Sequence, residues 1–409
     1  MKKISRRSFL QASAVSAVAV SLAACGQSVV DTTSTSTSTA TSSDDTATDV
    51  AADVMKIGYV YIGDDSEAYT ANFIAAEEAV KAAYGDEVTT IAKYNVAEDA
   101  VEDPTRELCE AGCSIIFTTS YGYGEVVKEL AVEYPDIHFS HATGDSATAS
   151  GISNYTNAMG AVYEARYVAG IVSGMKLAEE LAAGTISYAK IGYVGAYPYA
   201  EVISGYTAFF LGVRSIVADA TMEVMYANTW GDFDTEKTMA TALIENGCNF
   251  ISQHSDTEGP AEACENAMNA GNPVYCACYN QDMTDVAPNT CLLSSRIDWS
   301  AYQVELVSQI MNGETPALDV WAGFDEAWVA LTPLNTAIAA EGTQDAIDAA
   351  IAGFVADEID VFVGDYTGTN PWDDTDVIDL SAGFVENESQ SAPAFSYVLD
   401  DVITVLSTN

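Results

Sequence analysis

The chain has 409 residues and a formal net charge of −45 at pH 7, from 60 Asp and Glu against 15 Lys and Arg. That balance excludes nucleic acid as a partner, because phosphate backbones are held by clustered cations. It also leaves few groups to hold a multiply anionic ligand, so a neutral or cationic small molecule is favoured; solubility in an ionic milieu accounts for the acidity itself.

Lys2, Lys3, Arg6 and Arg7 precede an apolar run over 9–24 that ends in Leu22-Ala23-Ala24-Cys25. These are the three parts of an export signal. The run is shorter than the ~20 residues that span a bilayer. A cleavage box ending on Cys resembles a bacterial lipoprotein signal, which implies removal of 1–24, acylation of Cys25 and residence outside the cytoplasm on a lipid anchor. Ser5-Arg6-Arg7-Ser8-Phe9-Leu10 also resembles a twin-arginine motif, implying export of a folded chain. Residues 28–53 are nearly all Ser, Thr, Ala and Asp and cannot bury enough apolar surface to fold, so 25–54 reads as a disordered tether. What remains is long enough for two domains, with no further transmembrane segment.

The globular part opens with Lys56-Ile57-Gly58-Tyr59-Val60-Tyr61-Ile62, which returns as Lys190-Ile191-Gly192-Tyr193-Val194-Gly195-Ala196. After the first copy, β-rich runs at 90–94, 114–118 and 137–140 alternate with helical stretches such as 73–83 and 104–111. After the second, strands at 222–226, 250–253 and 273–278 alternate with helices at 200–217, 235–246 and 260–270. Such alternation calls for parallel sheets covered by helices on both faces, and two copies mean two lobes. A long helix between the halves carries Ala161, Ala165, Val168, Val172 and Met175 along one core-facing stripe. A further strand at 291–297 and helix at 301–311 exceed what a lobe needs, so the chain is expected to cross between lobes more than once. The lobes are drawn as 55–185 with about 290–320, and 186–289 with about 321–405, joined by a multi-crossover hinge that lets them close on a ligand.

Beyond Cys25 there are seven cysteines, Cys109, Cys113, Cys248, Cys264, Cys276, Cys278 and Cys291. An odd number in apolar contexts reads as buried free thiols, which points to an anaerobic source. Neither Cys109-x3-Cys113 nor Cys276-x-Cys278 has zinc-finger spacing or a nearby His, so no metal is expected.

In open parallel sheets the ligand crevice lies beyond the carboxyl ends of the strands. The loops there carry Asp64 and Tyr69, then Ser120, Tyr121 and Gly122, then His141 in the first half. In the second they carry Tyr197, Tyr199 and Glu201, then Trp230, then His254 and Asp256, then Tyr279 and Asp282. Aromatic faces interleaved with carboxylates and amides suit a planar heterocycle bearing hydroxyls or N–H groups, such as a nucleoside. Asp64, Ser66 and Asp232 are equally placed to cap the helices that follow. Tyr121 and Tyr123, flanked by glycines, also fit a turn; His138 and His141 read as structural. No dinucleotide fingerprint, Walker loop, nucleophile elbow or His-Glu-x-x-His is present, and no cofactor or enzymatic activity is expected.

Several segments, in order, resemble the basic membrane protein family of substrate-binding lipoproteins, which includes purine nucleoside receptors of ABC importers. In the first half they are Ile115-Ile116-Phe117-Thr118-Thr119-Ser120-Tyr121-Gly122-Tyr123, Phe139-Ser140-His141-Ala142-Thr143-Gly144 and Tyr163-Glu164-Ala165-Arg166-Tyr167-Val168-Ala169-Gly170. In the second they are Ile191-Gly192-Tyr193-Val194, Glu201-Val202-Ile203 ahead of Ala208-Phe209, Asn228-Thr229-Trp230 and Gln253-His254-Ser255-Asp256. The resemblance implies a type I periplasmic-binding-protein fold, a monomer that clamps a purine nucleoside or base between its lobes, and delivery to an ABC permease driven by a separate ATPase. It places Ser120, Tyr121, Gly122, Trp230 and Asp256 at the ligand, with Tyr69 in place of the aromatic that relatives carry soon after a Gly-Asp pair. A receptor for a sugar or autoinducer, or a surface adhesin, are the competing readings.

Overall fold

The computed structural model describes residues 54–387 and 390–407. The expected signal peptide, Cys25 and nearly all of the tether lie outside them. The first series runs β1 (Met55–Val60), α1 (Ala68–Tyr84), β2 (Val88–Lys93), α2 (Glu102–Glu110), β3 (Ile115–Thr118), α3 (Gly124–Glu133), β4 (His138–Ala142), α4 (Ala147–Ser150) and β5 (Tyr155–Gly160). The second runs α5 (Val162–Ala183), β6 (Lys190–Gly195), α6 (Ala200–Arg214), β7 (Thr221–Tyr226), α7 (Phe233–Glu245), β8 (Phe250–His254), α8 (Gly259–Asn269), β9 (Tyr275–Tyr279) and β10 (Cys291–Ile297). The chain continues through α9 (Ser300–Met311), β11 (Asp319–Ala322), β12 (Val329–Leu331) and α10 (Thr343–Val355). It ends with β13 (Thr367–Asn370), β14 (Asp373–Asp379), β15 (Val398–Leu399) and β16 (Ile403–Val405).

One sheet has the order β11-β5-β4-β3-β1-β2, all parallel; the other has β12-β10-β9-β8-β6-β7-β16, parallel except for β12. Strands β3, β4, β5 and β8 are buried along their whole length, as expected of parallel strands covered on both faces. This is the α/β arrangement the alternation predicts. A small antiparallel sheet, β14-β13-β15, adds a third element that the sequence reading did not foresee.

Two expected boundaries shift. The long helix α5, assigned with 55–185 to the first lobe, packs its Val168, Ala169 and Val172 into the core under the second sheet. The reason is a close crossing with α6: a Cβ on Gly170 would strike the Phe209 carbonyl, and one on Gly212 the Tyr167 carbonyl. Strand β10, assigned to the first lobe with about 290–320, instead pairs with β9 in the second sheet, Cys291 opposite Cys276. The chain therefore leaves the first sheet after Gly160, returns after Ile297 to form α9 and β11, and leaves again before β12.

These three crossings meet at one point. A Cβ on Gly160 would lie 2.7 Å from Ile297 and 3.1 Å from the Trp328 carbonyl. Ala161 N donates to Ala322 O and Asp298 N to Trp328 O, both at 2.8 Å, stitching the crossings together. The cleft lies beyond this hinge, between the strand ends of the two sheets.

Replacing Gly212 by Ala is expected to cost about 1–3 kcal/mol, the usual penalty for overpacking a tight contact. Urea denaturation would show it as a lower midpoint with unchanged slope; an unchanged midpoint would mean that α5 and α6 do not cross at backbone contact.

Candidate functional site

The first lobe contributes Ile62, Glu67, Tyr69, Ser120, Tyr121 and Thr143 to the cleft wall, and the second Glu201, Trp230, His254, Asp256 and Tyr279. Every one lies on a loop at a strand's carboxyl end, in the last residues of a strand, or at the start of the following helix. The space among these residues, counted together with the open solvent at its mouth, is about 490 Å³.

On the first-lobe side, Glu67 precedes α1 and accepts from Thr70 Oγ1 at 2.7 Å, its carboxylate lying against Gly63, where a Cβ would collide. Tyr69 donates to the Thr119 carbonyl at 2.5 Å and packs edge-on against Phe73. Ser120 lines the cleft, but its hydroxyl donates to Glu98 at 2.6 Å, and Gly122 N donates to the same oxygen at 3.2 Å. Ser120 and Gly122 thus build the loop, and Gly122 lies outside the lining. His141 holds this loop from below: one ring nitrogen is 2.8 Å from Ser120 O, the other 2.7 Å from Tyr155 Oη. Burial pushes both His138 and His141 down to about 4, so they are neutral supports. Thr143, a β-branched residue with φ of 62°, holds a left-handed conformation at the cleft edge, a strain typical of ligand sites.

On the second-lobe side, Trp230 packs against Tyr197 and Tyr199, whose own rings stack at 5.1 Å. Tyr199, 45% exposed, faces Tyr121, 49% exposed, across the cleft mouth at 6.3 Å. Among the described residues, then, the ring opposite Tyr121 is Tyr199, and Trp230 forms the inner end of an aromatic wall. Asp256 is 8% exposed, its backbone N donating to Trp230 O at 2.9 Å. The loop carrying Asp256 is shaped by buried Glu236, which accepts from the Ser255 and Thr257 hydroxyls at 2.7 Å. Asn280, left-handed at φ 65°, accepts at 3.0 Å from Asn72 of the first lobe, a hydrogen bond that spans the closed cleft.

Besides Gly122, two sequence candidates, Asp64 and Asp282, do not line the cleft. Asp64 accepts from Ser66 N and Ser66 Oγ at 3.0 and 2.6 Å and from Asn95 at 3.0 Å, closing its own turn at the surface. Asp282 is exposed and accepts from Thr284 N at 2.9 Å. Short loop carboxylates satisfy nearby backbone N–H groups first, and these two do so. Asp232 likewise caps α7, accepting from Thr235 N at 2.8 Å.

Glu67, Glu201, His254 and Tyr279 join the wall beyond the residues expected at the ligand; the last three stand in the strand-end loops named above, and Glu67 lies between Asp64 and Tyr69. Glu67, Glu201 and Asp256 converge, and among the described residues no Lys or Arg lines the space they share. Burial, and then the charges of Glu67, Glu236 and Glu201, hold Asp256 well above the usual carboxylate range. Such a wall is rich in acceptors and rejects anions; it suits a ligand presenting several O–H or N–H donors and a flat face.

The cysteines lie elsewhere. Cys276, Cys278 and Cys291 bring their sulfurs within 4.8 Å of one another in the core of the second lobe. Their thiols point at Thr290 Oγ1, at each other and at the Leu293 carbonyl, and hydrogen bonding with neighbouring thiols, together with burial, raises the pKa of all three, which favours the neutral thiol over the thiolate that binds metal.

Two parallel-sheet lobes, three crossings and a cleft at the strand ends define a solute-binding protein of the type I periplasmic class. Solved structures agree on the fold: solute-binding proteins of ABC transporter systems from Conexibacter woesei (TM-score 0.59, 19% identity, covering 75% of this chain and 97% of that one) and Aeropyrum pernix (TM-score 0.63, 11% identity, covering 75% and 92%) superpose on it. A family model described as ABC transporter substrate-binding protein PnrA-like matches residues 64–355, and the chain belongs to that family. A purine-binding protein of Brucella abortus is 32% identical over 70% of this chain and 77% of its own length. A putative ABC transporter glucose-binding protein of Haloferax volcanii is 31% identical over 71% and 69%. The chain is thus an ABC transporter substrate-binding protein; among the described residues no helix is long and apolar enough to cross a membrane.

Proposed function

We propose that this chain binds a purine nucleoside or purine base between its lobes, outside the cytoplasm, and hands it to an ABC permease driven by an ATPase. In this reading Cys25 carries the lipid, 25–54 is the tether, and the receptor acts as a monomer. The carrying observation is the composition of the cleft wall: Tyr69, Tyr121, Trp230 and Tyr279 offer ring faces, while Glu67, Glu201 and Asp256 offer acceptors with no cation between them. Carboxylates accept paired donors from a ribose diol or from purine N–H groups, and rings stack on the base. The purine-binding name of the Brucella relative supports the same ligand class. A hexose is the second reading, favoured by the Haloferax relative's name. Mass spectrometry of the small molecules released from gently denatured protein separates the two: a purine is expected, and a hexose alone would overturn the proposal.

Asp256→Ala is expected to weaken nucleoside binding tenfold to a hundredfold, from the roughly 1.5–3 kcal/mol of a hydrogen bond to a carboxylate that gives up its proton when the ligand's donors arrive. The melting temperature should change little, and unchanged calorimetric affinity in a folded variant would remove Asp256 from the site.

Trp230→Ala should cost about 0.5–1.5 kcal/mol of stacking beyond the lost area, and more for a nucleoside than for ribose, which has no ring system to stack. Melting temperature and both affinities on the same variant decide it. A large stability loss with an unaltered nucleoside-to-ribose ratio would make Trp230 a core residue beneath the loop.

A further inference from the structure

Arg166 lies in the first turns of α5, only 1% exposed. A guanidinium taken out of water ordinarily sits against a carboxylate. Among the described residues its one hydrogen bond is from a terminal nitrogen to the Gln253 carbonyl at 2.7 Å, and Nε and the other terminal nitrogen have no partner there. Its central carbon stands 3.9 Å from the centre of the Tyr279 ring, and the His254 ring meets the same tyrosine at 4.7 Å. Tyr279 and His254 both line the cleft.

Gly205 on α6 leaves the space between these groups. A Cβ there would lie 2.7 Å from His254 Nδ1 and 3.8 Å from Arg166 Nε, so an unpartnered ring nitrogen and an unpartnered donor border the same small volume. The other ring nitrogen, His254 Nε2, is 3.2 Å from Glu201 Oε1. A neutral imidazole carries its proton on one nitrogen and offers a lone pair at the other. A fixed cation near Nδ1 disfavours a proton there, which leaves Nε2–H donating to Glu201 and the remaining Glu201 lone pairs directed to the ligand.

We propose that Arg166 is a positioning residue of the ligand cleft: over the face of Tyr279 and bordering, with Nδ1 of His254, the space left by Gly205, it holds His254 in the Nε2–H form and so fixes Glu201 as an acceptor for the ligand. The groups that bear on His254 are Arg166 from α5, Glu201 from α6 and Tyr279 from β9; burial acts in the same direction as Arg166, and Glu201 opposes it. The proposal extends the purine-binding reading but does not need it, because its first test requires no ligand.

Nitrogen and carbon NMR of labelled His254 in the mature chain reads the tautomer directly. In the wild type it should remain neutral and Nε2-protonated across roughly pH 5 to 8. In Arg166→Met it should become a tautomer mixture that takes up a second proton within that range. Arg166→Lys, which keeps the charge, should restore the Nε2–H form. Inosine affinity by calorimetry should fall about tenfold or more in Arg166→Met, with a larger loss on the acid side, the size expected for one charge-assisted contact. If Arg166→Met does not fold, Gly205→Ala tests the same geometry: its methyl must displace the His254 ring and change its spectrum. A His254 that stays wholly Nε2–H in Arg166→Met, or an unmoved spectrum in Gly205→Ala, overturns the proposal. A wild type with the expected tautomer but no affinity for any purine would leave the role of Arg166 standing and refute the ligand assignment.

Discussion

The cleft depends on the meeting of three chain crossings at Gly160. Only a residue without a side chain lets Ile297 and the Trp328 carbonyl approach to within 2.7 and 3.1 Å of the position a Cβ would take. Strands β5, β10 and β12 therefore leave and enter their sheets through one compact point, the arrangement about which hinged lobes turn. Loops distant in sequence are brought opposite each other as a result: Tyr121 faces Tyr199, and Asn72 donates to Asn280.

Closure on that hinge gathers like charges. Glu67 comes from the first lobe, Glu201 and Asp256 from the second, and after burial Glu67 is the largest contribution that raises the pKa of Asp256. Bringing carboxylates together in a partly dehydrated space is unfavourable unless donors separate them or a proton is taken up. A donor-rich ligand would remove that penalty, so in the proposed receptor the acids that receive the ligand also oppose closure on an empty cleft. Arg166, buried against Tyr279, is a cation next to this wall that does not line it.

The two strand-helix series were legible because parallel strands buried on both faces read as continuous apolar runs: β10 falls on the expected 291–297, and β6 within 190–196. Strand β5 was not, since Thr156 and Asn157 look polar but are buried and satisfied by His138, Ser146, Ala147 and His141. The Asp-rich β14 was missed for the opposite reason, as an exposed strand with little apolar pattern. Position at strand ends brought Tyr69, Ser120, Tyr121, Trp230 and Asp256 into the cleft wall. The same logic failed for Asp64 and Asp282, because sequence does not tell a carboxylate that closes its own turn from one that faces a ligand. Arg166 carried a readable signal, a charged residue one position from Ala165 on the apolar stripe of α5, but its partner Tyr279 lies more than a hundred residues away and only the fold joins them.

The most direct test of this account is calorimetry of the mature chain with inosine, inosine 5′-monophosphate and glucose in the same buffer. A cleft walled by rings and three carboxylates should bind the neutral nucleoside and refuse its phosphate, whose charge would meet Glu67, Glu201 and Asp256 without a cation to receive it. Binding of the monophosphate as tightly as the nucleoside, or of glucose alone, would contradict it.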